Sequence, residues 1–212
     1  MATLLLRLQA PLQSWGISSL FTERDTAREP SKSGVIGLIC AALGRERSAD
    51  LGDLARLRMG IRVDREGKLQ IDYQTSGNIL RSDGSISKNA VVSRRYYLAD
   101  AVFLVGLEGD LEELRRIDYA LRSPTWQLYL GRKAFPPSVP IWLYDGLREG
   151  ELETELRAYL PLVKGEEKLR LVIEDENGQF LRQDVPLNFA ERKFTSRYVR
   201  VDLCDRSIAE GA

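Results

Sequence analysis

Apolar positions come in short runs between polar turns, and the period of each run sets the element it predicts. The opening run, ATLLLRLQ at 2–9, is almost wholly apolar, with Arg7 and Gln9 on one face near its end. It reads as a strand, closed by Pro11. A second apolar run at 34–43 follows Pro30, which stops any earlier helix. Ser31 and Ser33 are candidate N-caps and Gly44 a natural C-cap, so a buried helix is predicted between them. Leu51, Leu54 and Leu57 repeat at helical spacing, predicting a short amphipathic helix ended by Gly60. Residues 61–73 alternate on both sides of Glu66-Gly67, as a hairpin would. The run from Tyr96 to Leu107 reads as one strong strand. Leu111, Leu114, Ile117 and Leu121 then share one face of a helix at 110–121, with acids early and arginines later.

The second half gives shorter signals. Trp126–Leu130 and 138–145 read as short strands, 151–160 as a helix, and 168–187 as a hairpin across Asn177-Gly178. The tail alternates from Phe189 and predicts a last strand carrying Arg192, Lys193, Arg197 and Arg200. The first part thus runs β-α-β-β-α-β, the split βαβ order of ferredoxin-like and RNA-recognition folds, in the α+β class. Two polar stretches interrupt it. Residues 11–33 form a loop and a charged arm before the buried helix. Residues 74–95, rich in Gly, Ser and Asn with a turn signal at Asp83-Gly84, read as a projecting, mobile hairpin or loop inserted into the domain.

Composition narrows the function. At 212 residues and 43% hydrophobic, the chain supports one elaborate domain or two small ones. Lys and Arg balance Asp and Glu at 31 each, which argues against a simple basic nucleic-acid binder. The charges are nevertheless segregated. Arg81, Lys88, Arg94 and Arg95 stand against Asp83 alone, and Arg122, Arg132 and Lys133 have no acid among them. Acids collect at 100–118 and 149–176. Basic islands in a neutral total fit a protein that meets a polyanion on one face. There is no histidine, which removes the usual general base and the commonest metal ligand. Cys40 and Cys204 are far apart, so neither a disulfide framework nor a zinc site is indicated, and no cofactor is implied. No signal peptide opens the chain and no apolar run is long enough to span a bilayer, so a cytoplasmic protein is expected.

The candidate site gathers around 11–33. Trp15, between Ser14 and Gly16, either stacks on an unpaired base or packs over the sheet edge. The helix start at Ser31, Lys32 and Ser33 offers free N–H groups and positive charge to an anion, with Arg24 and Arg28 in the preceding arm. The run Ser31-Lys32-Ser33-Gly34 lacks the glycine spacing of a P-loop, so a nucleoside-triphosphate site is rejected. Arg94, Arg95, Arg132 and Lys133 are further phosphate donors. Residues alone therefore lead to a compact α+β domain suited to single-stranded RNA.

Four motifs, in order, carry a resemblance: LLRLQAPLQSWG, RDTAREPSKSGVIGLICAALG, DYQT at 72–75 and YLGRKAFPPSVP at 129–140. Together they resemble the CasD-type subunits of type I-E CRISPR Cascade, in the repeat-associated mysterious protein superfamily. The resemblance covers residues 3–145 and continues weakly through DVPLNFAERKFTSRYV. It implies a modified ferredoxin-like domain at 1–145, with a β-hairpin thumb inserted at about 74–96, and a smaller β-rich portion at 146–212. It further implies a non-catalytic subunit that binds the 5′ handle of the CRISPR RNA and caps one end of the guide complex. Backbone and large subunits of Cascade are implied partners, and target DNA is held by the assembled complex. The RNA-binding residues carried over are Gln13, Ser14, Trp15, Arg24, Thr26, Arg28, Ser31, Lys32, Ser33, Tyr129, Gly131, Arg132 and Lys133. Lys88, Arg94 and Arg95 are added from the thumb. A related type I-C branch cleaves precursor RNA without metal, using tyrosine, lysine and histidine. The alternative is therefore a metal-independent ribonuclease relying on Tyr and Lys side chains.

Overall fold

In the computed structural model, residues 1–17, 22–80, 83–86, 89–165 and 167–206 are described. Strand β1 (Ala2–Gln9) is buried on both faces, which is why its sequence runs apolar instead of alternating. Leu4, Leu6 and Leu8 face helices α1 (Lys32–Leu43) and α3 (Leu111–Arg122), while Leu5 joins a second cluster with Leu152 and Leu156 of α4 (Leu152–Ala158). The main sheet therefore has helices on both sides. Its strands are β1, β4 (Arg58–Arg65), β7 (Val102–Gly109), β8 (Trp142–Arg148), β9 (Lys168–Glu174), β10 (Phe180–Asn188) and β11 (Lys193–Asp205). They lie in the order β10-β11-β9-β4-β7-β1-β8, antiparallel throughout.

A smaller sheet is built on β6 (Val91–Ala99). Strand β5 (Lys68–Ser76) pairs along its whole length on one side. On the other, β2 (Leu12–Gln13) pairs with the last residues of β6, and β3 (Glu23–Arg24) runs parallel to Arg94 and Arg95. This sheet fastens the first loop and the arm to the base of the projecting hairpin. A short helix, α2 (Gly52–Ala55), leads into β4. No described helix is long and apolar enough to cross a membrane.

Helix α1 follows the expected caps. Ser31 Oγ accepts from Gly34 N at 3.2 Å, and Gly44 takes the left-handed conformation, its N–H donating to the Ala41 carbonyl. Four expectations differ. No hairpin forms at Glu66-Gly67, because the chain changes sheet there: β4 pairs with β7 and β9, whereas β5 pairs with β6. The crossing is tight, since a Cβ on Gly67 would stand 2.8 Å from Ala101 Cβ. The strand expected at 96–107 is likewise divided, with Asp100 at φ 60 where the chain returns from β6 to β7. Strands β9 and β10 do not pair across Asn177-Gly178, because β11 lies between them. Residues 126–130 are a loop. The N–H groups of Thr125 and Trp126 donate to the Ala42 and Ala41 carbonyls, satisfying the C-terminal end of α1.

The fit of α4 depends on two glycines. Gly60 and Gly106 are register partners on β4 and β7, and a Cβ on Gly106 would stand 2.6 Å from Leu152 Cδ1. Gly106→Val is expected to lower stability by about 1–3 kcal/mol through overpacking, read as a lower urea midpoint.

Candidate nucleic-acid interface

The first loop is held from inside. Gln13 is fully buried; its Nε2 donates to the Ala101 carbonyl at 2.8 Å, and its Oε1 accepts from Trp15 Nε1 at 3.2 Å. Trp15 is 1% exposed, with its ring against Gly34, where a Cβ would stand 2.9 Å away. Of its two readings, the indole therefore takes packing, and its face is closed to a base. Thr26 Oγ1 accepts from Trp15 N at 2.9 Å, and Ala27 N donates to the Trp15 carbonyl at 2.9 Å, so the arm is stitched to the loop.

The helix N-terminus is also occupied. Lys32 N donates to Asp184 Oδ2 at 2.7 Å, and Lys32 Nζ meets Glu174 at 2.9 Å with only 1% of the side chain exposed. Burial holds the ammonium below the ordinary lysine value; Glu174 raises it in part, and Arg197 lowers it. The anion expected at this helix start is thus supplied by the protein's own β9 and β10, a contact between residues too distant for local pattern to foretell. Ser33 remains partly exposed beside it.

What reaches solvent is arginine. Arg132 lies 5.6 Å over the Phe135 ring, and its Nη2 donates to the Tyr96 carbonyl at 2.8 Å and the Arg24 carbonyl at 3.3 Å. Burial, then the like charges of Arg95 and Arg24, lower its pKa, with Asp72 and Asp25 opposing. Three cationic groups therefore converge here. Arg24, Arg28 and Lys133 are exposed. Arg95 Nε donates to Ser93 Oγ at 3.2 Å, and Arg94 pairs with Glu23 at 3.3 Å. Arg81 and Lys88 lie outside the described residues.

Arg24, Arg132 and Lys133 line adjoining cavities that share Gly131 and together form one groove. At its basic end a cavity of about 530 Å³ is lined by Ser14, Gly16, Arg24, Asp25, Gly131, Arg132 and Arg192. It continues past Gly16, Ser33, Gly34, Phe189 and Phe194. At the far end, Trp126, Tyr129, Lys133 and Arg47 stand around the exposed face of α1, in a space of about 460 Å³. Gly131 borders all three parts. Such a channel has cations for phosphates at both ends and aromatic faces for bases at the far one. Ser14, Arg24, Ser33, Tyr129, Gly131, Arg132 and Lys133 line it. Gln13 and Thr26 shape it from within, and Ser31 borders its middle part while capping α1. Phe189, Arg192, Trp126 and Arg47 were not among the expected site residues. Arg192 was legible only as one of several cations on a tail strand, with no local sign that its turn folds back to the first loop.

The fold and site define a class of protein, a helix-flanked antiparallel sheet with a basic groove beside its first loop. The family model described as CRISPR-associated protein (Cas_Cas5) matches residues 3–200, and the chain belongs to that Cas5 family. Within it, the chain is similar to the CasD type: it is 29% identical to the CRISPR system Cascade subunit CasD of Escherichia coli, over 92% of each chain. Among solved structures, one described as a CRISPR RNA-guided surveillance complex contains a chain 36% identical, with a TM-score of 0.85, covering 96% of this chain and 90% of that one. Another, described as a crystal structure of a Cas protein, is 46% identical, with a TM-score of 0.82, covering 96% and 95%.

Proposed function

We propose that this chain is a non-catalytic subunit that holds the 5′ handle of the CRISPR RNA and caps one end of a type I-E Cascade complex. Family, relative and structural neighbour support the broader statement, a CasD/Cas5-type Cascade subunit in a CRISPR surveillance complex, working in defence with RNA and other Cascade subunits. The observation that carries the finer reading is the single groove joining Arg24 and Arg132 to Trp126 and Tyr129 through Gly131. A handle is a short single strand of fixed sequence, and such strands are recognised by phosphate contacts together with splayed, stacked bases. In this reading Arg24, Arg28, Arg132 and Lys133 take phosphates, and Tyr129 faces a base. Gln13, Trp15, Thr26, Ser31 and Lys32 position the loop, arm and helix that carry them.

The spatial order β8-β1-β7-β4, with α1 and α3 packed on one face, supports a ferredoxin-like core that closes with β8 at Arg148, a few residues past the boundary expected at 145. The β5–β6 hairpin is read as the thumb lying across the guide, and 146–212 as the C-terminal portion. Exposed Leu69, Ile71 and Tyr73 on that hairpin suit contact with a backbone subunit. The large subunit and target DNA belong to the assembled complex.

A salt series tests the groove. Arg132→Ala with Lys133→Ala is expected to weaken binding of handle-bearing RNA and to make log K against log salt shallower by about 1.4, for two lost contacts to a single strand. Unchanged affinity and slope would remove the RNA contacts from this face. In the same tubes, a repeat RNA incubated without metal should remain intact; a discrete cut would favour the ribonuclease alternative.

A further inference from the structure

We propose that Arg192, in the turn between β10 and β11, is a phosphate ligand of this groove, so that the C-terminal portion grips the guide strand from the side opposite the arm. The proposal rests on the RNA-binding reading above and adds a residue and a wall to it.

The turn is built in place. Ala190 N donates to the Arg47 carbonyl at 3.1 Å, and Arg47 Nη2 donates to the Phe189 carbonyl at 3.0 Å. Glu191 N donates to Asn188 Oδ1 at 2.9 Å. These bonds tie the turn to the loop that follows α1. Within it Arg192 has φ 55, a left-handed conformation that a non-glycine side chain seldom adopts. Residues held in such conformations cluster at active sites, ligand clamps and switch regions.

The charges point the same way. Arg192 borders the cavity that also holds Arg24 and Arg132, with Asp25 as its acidic member. Among the described residues Arg192 has no ion pair, whereas its neighbour Lys193 pairs with Glu191 at 2.5 Å. Arg24 acts on Arg132 as a like charge that Asp25 offsets only in part, and Arg192 lines the same cavity, so the lining is net cationic. A phosphodiester suits it, because guanidinium groups present forked donors to phosphate oxygens. The result is a clamp on the strand near Gly16 and Gly131, one jaw from the arm and one from the C-terminal turn.

The test uses the full-length protein and a fluorescent RNA bearing the 5′ handle. Arg192→Gly removes the charge at a backbone position where glycine is at ease, so its thermal midpoint should match or exceed the parent's. It should bind the RNA about tenfold more weakly and flatten the salt slope by about 0.7. Arg132→Glu is measured beside it. If Arg132→Glu weakens binding and Arg192→Gly does not, the clamp is wrong and the groove stands. If neither changes affinity, the groove reading itself fails. A loss of affinity with an unchanged salt slope would also overturn the proposal, since a lost phosphate contact must release fewer counterions.

Discussion

Gly131→Val is expected to weaken guide RNA binding by about a hundredfold, the loss of two charge-assisted contacts at about 1.5 kcal/mol each. Gly131 has φ 92, and a Cβ there would lie 1.7 Å from the Ser14 carbonyl oxygen. That oxygen cannot yield alone, because Ser14 N donates to the Leu130 carbonyl at 3.1 Å and Ser14 Oγ donates to the Tyr96 carbonyl at 3.3 Å. The two loops must therefore part. The hydrogen bonds from Leu130 N to Phe135 O and from Phe135 N to Arg132 O bind Arg132 to the same loop, so it moves with Gly131. Fluorescence anisotropy reads the loss, and circular dichroism is expected to show the main sheet intact, since these loops lie outside it. Trp15→Ala differs in kind. It empties a core position, costs about 3–5 kcal/mol, and lowers binding through the folded fraction and through the loop and arm that Trp15 holds in place.

The second large effect lies away from the groove. Asp184→Ala is expected to cost about 3–5 kcal/mol, the usual result of removing one partner from a buried ionic network. Asp184 accepts from Arg197 Nε at 2.7 Å, Arg197 Nη2 at 3.0 Å and Lys32 N at 2.7 Å. Without it, Arg197 and Lys32 share only Glu174, at 3.3 Å and 2.9 Å. The N-terminus of α1 also loses its anion, while Glu29 still ties the arm to the C-terminal strands through Arg170 at 2.9 Å and Arg182 at 3.1 Å.

The pH dependence has a definite sign. Lys32 has a folded pKa below 10.5, so between that value and 10.5 the unfolded chain holds more protons and stability rises with pH. Removing Asp184 removes a charge that favours the ammonium, so in the variant this window opens at lower pH. The gap between variant and parent in urea midpoint should therefore narrow as pH rises from 7 towards 10. Cys40 acts in the opposite direction. Burial pushes its thiol up to about 11, so its contribution fades as pH climbs from 9 to 11. That fading is common to both proteins and cancels in the comparison.

Legibility in the sequence follows the range of each interaction. β1 and α1 were legible because a buried strand and a capped helix are written in adjacent residues, from Ala2 to Gln9 and from Ser31 to Gly44. The sheet changes at Gly67 and Asp100 were not, because alternation reports two faces and says nothing of which strand lies beside them. Lys32 looked like a free cation because its partners, Glu174 and Asp184, arrive from the other end of the chain. Trp15 was open to two readings because only Ser14 and Gly16 flank it, while Thr26 and Gly34, which close over it, lie beyond the loop. The basic islands were visible as composition. That Arg24, Arg132 and Arg192 meet at one cavity depends on three separate returns of the backbone.

The most direct measurement of the central claim is binding of the full chain to guide RNA with and without its 5′ handle, across a salt series. The groove reading predicts tight, handle-dependent binding, with the dependence abolished by Gly131→Val and reduced by Arg132→Ala. Equal affinity for both RNAs, with either variant binding like the parent, would contradict it.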